Sequence, residues 1–326
     1  MSLQTLTLPS STEPIFPEVN DTESLSAIER AIALTLSYSD VFDYPLNVHE
    51  IHRYLIGAQA SLETVSRLLV TGQHITRLLS YHEGYFFLRG RGQIVETRQR
   101  RANIAAKLWP KARIYGRLIA LLPFTRMVAV TGALAVDNTD QNADMDFMIV
   151  TEPGRLWLCR ALVILLVRWA ALHSDTVCPN LFVSEKTLAY QQQDLYTAHE
   201  MAQMIPIAGH NIYRHMMELN PWMLEYLPNA QEHHVAKMES RSGPITRRLG
   251  IAAEKFLRAP LIDRLERWEM TRKIRKFTLA VNWSSEANFS TDWCQGYFNA
   301  YQQHTLQAYS ERVKAIEAAW SRWDYK

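Results

Sequence analysis

Residues 127–151 constrain the fold more than any other part of the chain. The run 127–131 (MVAVT) is short and rich in β-branched residues, and it stops at the dipeptide Gly132-Ala133. A polar loop, 137–142, leads into a second strand-like run, 144–151 (DMDFMIVT), and the Pro153-Gly154 turn then opens an apolar helical stretch, 155–172. A third strand reads from 177 to 184 (VCPNLFVS). Strand, small-residue turn, strand, helix, strand is the order of an α/β unit. Side chains at i and i+2 of a strand share a face, so Asp144 and Asp146 project together while Met145 and Phe147 pack behind them.

The flanking sequence has another character. Between 23 and 89 the spacing predicts three helices and a hairpin. The first helix covers 24–37, the second runs from Pro45 to Ile56 with Asn47 as its cap, and the third covers 62–70 with Ser61 as its cap. Strands follow at 75–80 and 85–89 around the turn His82-Glu83-Gly84, which completes the order of a winged helix-turn-helix. A long helix over 94–122 is expected to kink or break at Pro110 and to stop at Pro123. Beyond 186 the signals are mostly helical, over 188–204, 210–219, 245–256, 261–277 and 298–323. The expected fold class is mixed, α+β with an α/β part. It divides into a disordered leader (1–22), a winged helix-turn-helix (23–93), a connecting helix (94–123), a core with a small mixed sheet (124–205) and a helical C-terminal region (206–326).

Composition narrows the class further. With 326 residues, 48% hydrophobic and 10% aromatic, the chain has ample apolar surface for two or three domains and is neither disordered nor fibrous. The first twenty residues carry no Lys, Arg or apolar run, unlike a secretory signal. Arg160 and Arg168 interrupt the apolar stretch 156–172, which falls short of the roughly 20 residues a membrane span needs. Three cysteines without CxxC spacing point to a reducing compartment, so the expected location is cytoplasmic. The histidines lack zinc spacing, and no Walker A, Rossmann or Gly-x-Ser-x-Gly pattern is present.

The chemistry-bearing constellation is the glycine turn with the aspartate pair. Two carboxylates on one strand face can share hard divalent cations, and a metal pair can hold a triphosphate while lowering the pKa of an attacking hydroxyl. Gly132 lets a phosphate approach where a side chain would obstruct it, and the backbone N–H groups that follow, including that of Ala133, face its oxygens. Arg155, at the start of the helix, reads either as a phosphate ligand or as a surface ion-pair partner. Asn180 is the best-placed residue of the third strand, with a buried structural amide as the competing reading.

These residues resemble the signature of the nucleotidyltransferase superfamily related to DNA polymerase β: strand, Gly-[Gly/Ser], a spacer, then Asp-x-[Asp/Glu] on a second strand. Within it the chain resembles a bacterial group that places a winged helix before a minimal transferase core. The likeness extends to YSDVFDYPL (38–46), GRLWLCR (154–160), CPN (178–180), NPW (220–222) and LPN (227–229), and covers roughly three-quarters of the chain. It implies Mg²⁺ or Mn²⁺ at Asp144 and Asp146, a nucleoside triphosphate against Gly132, Ala133, Arg155 and Asn180, and nucleotidyl transfer to an acceptor. Two departures qualify this. Ala133 replaces the family's phosphate-binding serine, and 177–184 contains no third carboxylate. Asn180 and Ser184, which alternation puts on one face, provide no general base at neutral pH. A catalytically degenerate module that binds nucleotide or nucleic acid as a regulator is therefore the alternative.

The net charge of +2 hides two basic stretches. Between Arg77 and Arg117 ten Lys or Arg face two acids, and between Lys237 and Lys276 twelve face five. Either stretch suits a nucleic acid or another anionic acceptor, and either equally suits a helix that shows its charges to water. The helix 62–70, in the recognition position, carries only Arg67 as a cation.

Overall fold

The computed structural model describes residues 21–141, 143–232, 254, 257, 260–280, 288–295 and 301–324. The fold is mixed α+β, with helices around small sheets. The leader, the expected helix over 245–256 except Glu254, and most of the basic stretch before Pro260 lie outside the described residues.

The N-terminal unit is organised around α1 (Asp21–Asp40), which buries Ile28, Ile32 and Leu36 at four-residue spacing. Helix α2 (Val48–Arg53) starts at a full capping box, in which the Glu50 N–H donates to Asn47 Oδ1 at 3.0 Å and the Asn47 N–H to Glu50 Oε2 at 2.9 Å. Ser61 caps α3 (Leu62–Thr71) through the Thr64 N–H. The expected strand over 75–80 is corrected. Its first part is a helical turn, α4 (Ile75–Leu78), and β1 (Leu79–His82) pairs with β2 (Tyr85–Leu88) only after it. The cause is tertiary. The buried Glu29 carboxylate accepts the N–H groups of Gln73, His74 and Ile75, which fixes a helical start. The hairpin turn holds Glu83 and Gly84 at positive φ, as a tight turn between twisted strands requires.

Helix α5 (Ile94–Leu121) runs through Pro110 without a break. Pro110 and Ala106, whose carbonyl loses its partner, both lie on the exposed face, which leaves that carbonyl open to solvent. The main sheet follows in the order β6-β3-β4-β5-β8-β7, built from β3 (Thr125–Val130), β4 (Met145–Thr151), β5 (Val177–Ser184), β6 (Ile205–Ala208), β7 (Asn288–Phe289) and β8 (Trp293–Gln295). Strands β4 and β5 are parallel and are joined by α7 (Leu156–Leu172); the other neighbours are antiparallel. Alternation along the strands divides the core. Val128, Val130, Phe147, Ile149 and Phe182 face α5 and α7, whereas Met127, Ala129, Met148, Val150, Leu181 and Val183 face α8 (Leu195–Gln203), α9 (His210–Glu218) and α10 (Met223–Tyr226).

Strands β6, β7 and β8 fall in the region expected to be mostly helical. They are two to four residues long and owe their form to pairing rather than to local pattern. The helix expected over 188–204 begins only at Leu195, where Asp194 accepts the Thr197 N–H. Helices α11 (Pro260–Ala280) and α12 (Tyr301–Asp324) close the fold, and α12 returns to the N-terminal unit, where Ile316 joins its core and Arg312 donates to Asp40 Oδ2. No helix of the described residues is long and apolar enough to cross a membrane. Direct hydrogen bonds fasten the N-terminal unit to the sheet unit. Asn229 Nδ2 donates to His52 O and Ala60 O, the Gly57 N–H to Tyr226 O, and Tyr44 Oη to Val136 O.

Candidate active site

Strand β3 ends at Val130, and Gly132, which has φ +64°, opens a single helical turn, α6 (Gly132–Ala135). A Cβ there would lie 2.8 Å from Asp146 Oδ2, so the carboxylate occupies the space the missing side chain leaves free. The Thr131 N–H donates to Asp146 O at 3.0 Å and continues the β3–β4 ladder to this point. Asp144 lies just before β4 and is exposed, whereas Asp146 is half-buried within it. Burial pushes the Asp146 carboxyl up to about 6, and the charge of Asp144 adds to the effect; a hydrogen bond from the Cys178 thiol opposes it. Cys178 sits directly opposite Asp146 in the parallel β4–β5 pair.

The third strand contains a β-bulge. Phe147 pairs with Pro179 and Met148 with Leu181, so Asn180 is the extra residue. This corrects the expected shared face of Asn180 and Ser184: Cys178 and Asn180 both line the cleft, while Phe182 packs in the opposite core and Ser184 is fully buried.

The structure brings Gly132, Ala133, Asp144, Asp146 and Asn180 together on the wall of one cleft of about 1000 Å³. Arg155 does not join them. It stands beyond the far end of β4, its guanidinium paired with Asp263 at 2.6 Å. The start of α7 is also already occupied, because Glu266 of α11 accepts the Trp157 N–H at 2.8 Å and the Leu158 N–H at 2.6 Å. A carboxylate held against those N–H groups leaves no place there for a phosphate.

The opposite wall was not evident from the sequence. It comes from the N-terminal unit, with Tyr38, Phe42 and Tyr44, and from α8, with Tyr196, His199 and Glu200; Tyr301 of α12 completes it. His199 stacks on Tyr38 at 3.8 Å between ring centroids, and burial lowers its pKa to about 4, so it is neutral. Burial and the Asp146 charge raise Glu200 to about 7. Residues 38–46 stand out in the sequence only as part of the family resemblance, with nothing to show that they line a cleft. Nothing in the spacing signalled Glu200.

Among the described residues no three His, Cys, Asp or Glu side chains cluster closely enough to hold a metal by themselves. The donor set nevertheless fits Mg²⁺, which is commonly held by one or two carboxylates together with waters and substrate phosphates. Asp144 and Asp146 supply the carboxylates, and a cation would offset the burial that chiefly raises the Asp146 pKa as well as the smaller effect of the Asp144 charge.

The first basic stretch is partly neutralised within the fold. Arg91 pairs with Asp40 and Asp43, Arg98 with Glu50, Arg101 with Asp140 and Lys111 with Asp175. In the described part of the second stretch, Arg272 and Lys273 pair with Glu269, and no residue of α11 lines the cleft. In comparisons with known proteins, no family model, no curated protein and no solved structure matches the chain.

Proposed function

We propose that the protein is a metal-dependent nucleotidyltransferase. The observation that carries this reading is the convergence of Gly132, Ala133, Asp144, Asp146 and Asn180 on one cleft, with Gly132 pressed against the Asp146 carboxylate. Asp144 and Asp146 hold Mg²⁺ or Mn²⁺, which, when bound, neutralises phosphate charge and makes an acceptor hydroxyl easier to deprotonate. Gly132 and Ala133 present backbone to the triphosphate, and the Asn180 amide is placed to orient it. The acceptor oxygen bonds to the α-phosphorus, the bond from that phosphorus to the bridging oxygen breaks, pyrophosphate leaves with the electron pair, and the hydroxyl proton passes to solvent. In this reading the N-terminal unit is a winged helix used as a cleft wall, residues 124–205 are the transferase core, and the free thiols of Cys159, Cys178 and Cys294 fit a cytoplasmic location.

The test is a thermal-shift titration with Mg²⁺ or Mn²⁺ and each nucleoside triphosphate, repeated on Asp144→Ala and Asp146→Ala. A rise in melting temperature that needs both metal and nucleotide and disappears in the variants supports the reading. No rise, or a rise the variants retain, rejects it. The lack of a carboxylate on β5 favours a second reading, a core that binds nucleotide without turning it over. Pyrophosphate release in the presence of an acceptor separates the two.

A further inference from the structure

Helices α5 and α7 cover one face of the main sheet, and their outer surfaces carry a pattern that core packing does not use. On α5, Lys107, Pro110, Ile114, Arg117 and Leu121 recur at intervals of three or four residues and are all exposed, while Ala105, Ala112, Tyr115 and Ile119 point to the core. On α7, Leu165, Arg168, Trp169 and Leu172 stand at i, i+3, i+4 and i+7 and are again exposed, Leu172 by 82%. The two stripes are neighbours. Tyr115 meets Trp169 edge-on with 6.3 Å between ring centroids, and Lys111 and Tyr115 both donate to Asp175, just past the end of α7.

The charge on this face has one sign. Residues 97–136 and 155–172 contain no Asp or Glu, and Asp175 is taken up by Lys111. Lys107, Arg117 and Arg168 form no ion pair among the described residues. Helix α11 lies against the start of α7 through Glu266 and repeats the pattern: Arg264, Leu265, Arg267, Trp268 and Arg275 are exposed, whereas Glu266 and Glu269 are buried. None of these residues lines the cleft. The face is therefore apolar and cationic at once, an arrangement that leaves large side chains in water unless something covers them.

We infer that this helical face docks on an anionic lipid bilayer, on which the protein lies without crossing it. A bilayer interface favours both kinds of side chain. Ile114, Leu121, Leu165 and Leu172 enter the boundary between headgroups and acyl chains, the Trp169 ring settles there, and Lys107, Arg117 and Arg168 extend their stems alongside while their heads meet anionic headgroups. A nucleic-acid backbone favours the cations but leaves Leu165 and Leu172 in water. A protein partner calls for an apolar centre with charges at the rim, whereas apolar and cationic residues alternate along both stripes. A second copy related by a two-fold axis sets cation against cation. The inference stands apart from the transferase reading, because it uses no residue of the cleft.

The experiment sediments the full chain with vesicles of phosphatidylcholine alone and of phosphatidylcholine mixed with phosphatidylglycerol, at low and at high salt. The chain is expected to bind the mixed vesicles, to leave the neutral ones, and to bind less as salt rises. Arg117→Glu combined with Arg168→Glu is expected to weaken binding about tenfold or more, and Leu172→Asp about tenfold. All three positions are exposed, and urea unfolding checks that each variant keeps its fold. Arg67→Glu combined with Arg214→Glu changes the net charge equally at exposed positions of α3 and α9, away from this face, and is expected to keep binding within about threefold. No binding to the mixed vesicles, equal binding to neutral ones, or an equal loss in the control overturns the inference. So does a DNA duplex that is held more tightly than the vesicles and released by the same charge reversals, or a dimer in ultracentrifugation that Leu172→Asp abolishes.

Discussion

Alanine substitution at three glycines separates backbone strain from the contact with Asp146. Gly132, Gly154 and Gly209 have φ of +64°, +72° and +76°, so an alanine at each meets the same left-handed penalty. That penalty is about 1–2 kcal/mol, partly offset by about 0.4–1 kcal/mol from the less flexible unfolded chain. At Gly154 nothing lies within 4 Å of an added Cβ, so strain acts alone and the net loss is at most about 1.6 kcal/mol. At Gly132 the Cβ meets Asp146 Oδ2 at 2.8 Å. The carboxylate must turn away from its well, which adds about 0.5–1.5 kcal/mol. At Gly209 the Cβ meets Arg126 O at 2.2 Å and Met127 Cα at 2.6 Å, and backbone cannot swing aside, so the loss exceeds about 3 kcal/mol. Urea unfolding ranks the variants, and a thermal shift with Mg²⁺ and nucleotide reads the site. Gly132→Ala is expected to fall between the other two in stability and to lose the Mg²⁺ response, while Gly154→Ala keeps it. If Gly132→Ala matches Gly154→Ala in both measurements, the coupling between turn and carboxylate is refuted.

Two further predictions concern buried polar groups. The Glu200 carboxyl moves from its ordinary 4.5 to about 7 in the fold, a displacement worth at most about 3 kcal/mol at 1.36 kcal/mol per unit. A raised carboxyl pKa favours the folded state fully below pH 4.5 and loses that contribution as pH rises through 7, so in metal-free buffer Glu200→Gln should be more stable than wild type at pH 8 and equal to it at pH 4.5. A pH-independent difference in urea midpoints argues against this. Asn220 takes hydrogen bonds from the Tyr190 N–H and Trp222 Nε1 and donates to Leu188 O and Met216 O. Asn220→Ala leaves all four buried groups short of a partner and should cost about 3 kcal/mol or more, whereas a loss under about 1 kcal/mol in urea unfolding shows that water substitutes for the amide.

What was legible in the sequence is what local pattern encodes. The caps at Asn47 and Ser61, the Glu83-Gly84 turn, the strand that leads to Gly132 and the strand that carries Asp146 depend on neighbours within a few residues, and each is found where the pattern puts it. The missed features are long-range. Helix α4 needs Glu29, more than forty residues away, and β8 exists because β5 offers an edge. The bulge at Asn180 is a register property of two strands, so strict alternation put Asn180 and Ser184 on one face, which they do not share. Arg155 stands at a helix start that the local pattern leaves open either to a phosphate or to an ion pair, and the ion pair with Asp263 is the one found. That helix start is closed by Glu266, more than a hundred residues later. Counting charge along the chain had the same defect. The acids that neutralise Arg91, Arg98, Arg101 and Lys111 come from other segments, so the local excess overstated the field that a ligand would meet.

The N-terminal unit bears most directly on function. A winged helix that reads nucleic acid needs an accessible, cationic recognition helix. The exposed face of α3 offers Glu63, Arg67, Val70 and Thr71, one cation balanced by one acid. The opposite side of the same unit is fastened to the sheet unit. Tyr44 donates to Val136 O, Arg101 donates to Phe42 O, and the buried Arg98 guanidinium stacks on Tyr44 at 3.7 Å while pairing with Glu50. These contacts fix residues 38–46 across the cleft from Asp146. Side chains there do more for small-molecule selection than for base reading: Tyr38 and Phe42 form a preorganised aromatic surface, and its rigidity comes from the helical unit behind it. A helical unit in the order of a winged helix and a cleft that carries the Gly132 turn and the aspartate pair therefore fit together in one fold, because the helical unit supplies the wall that the small sheet lacks.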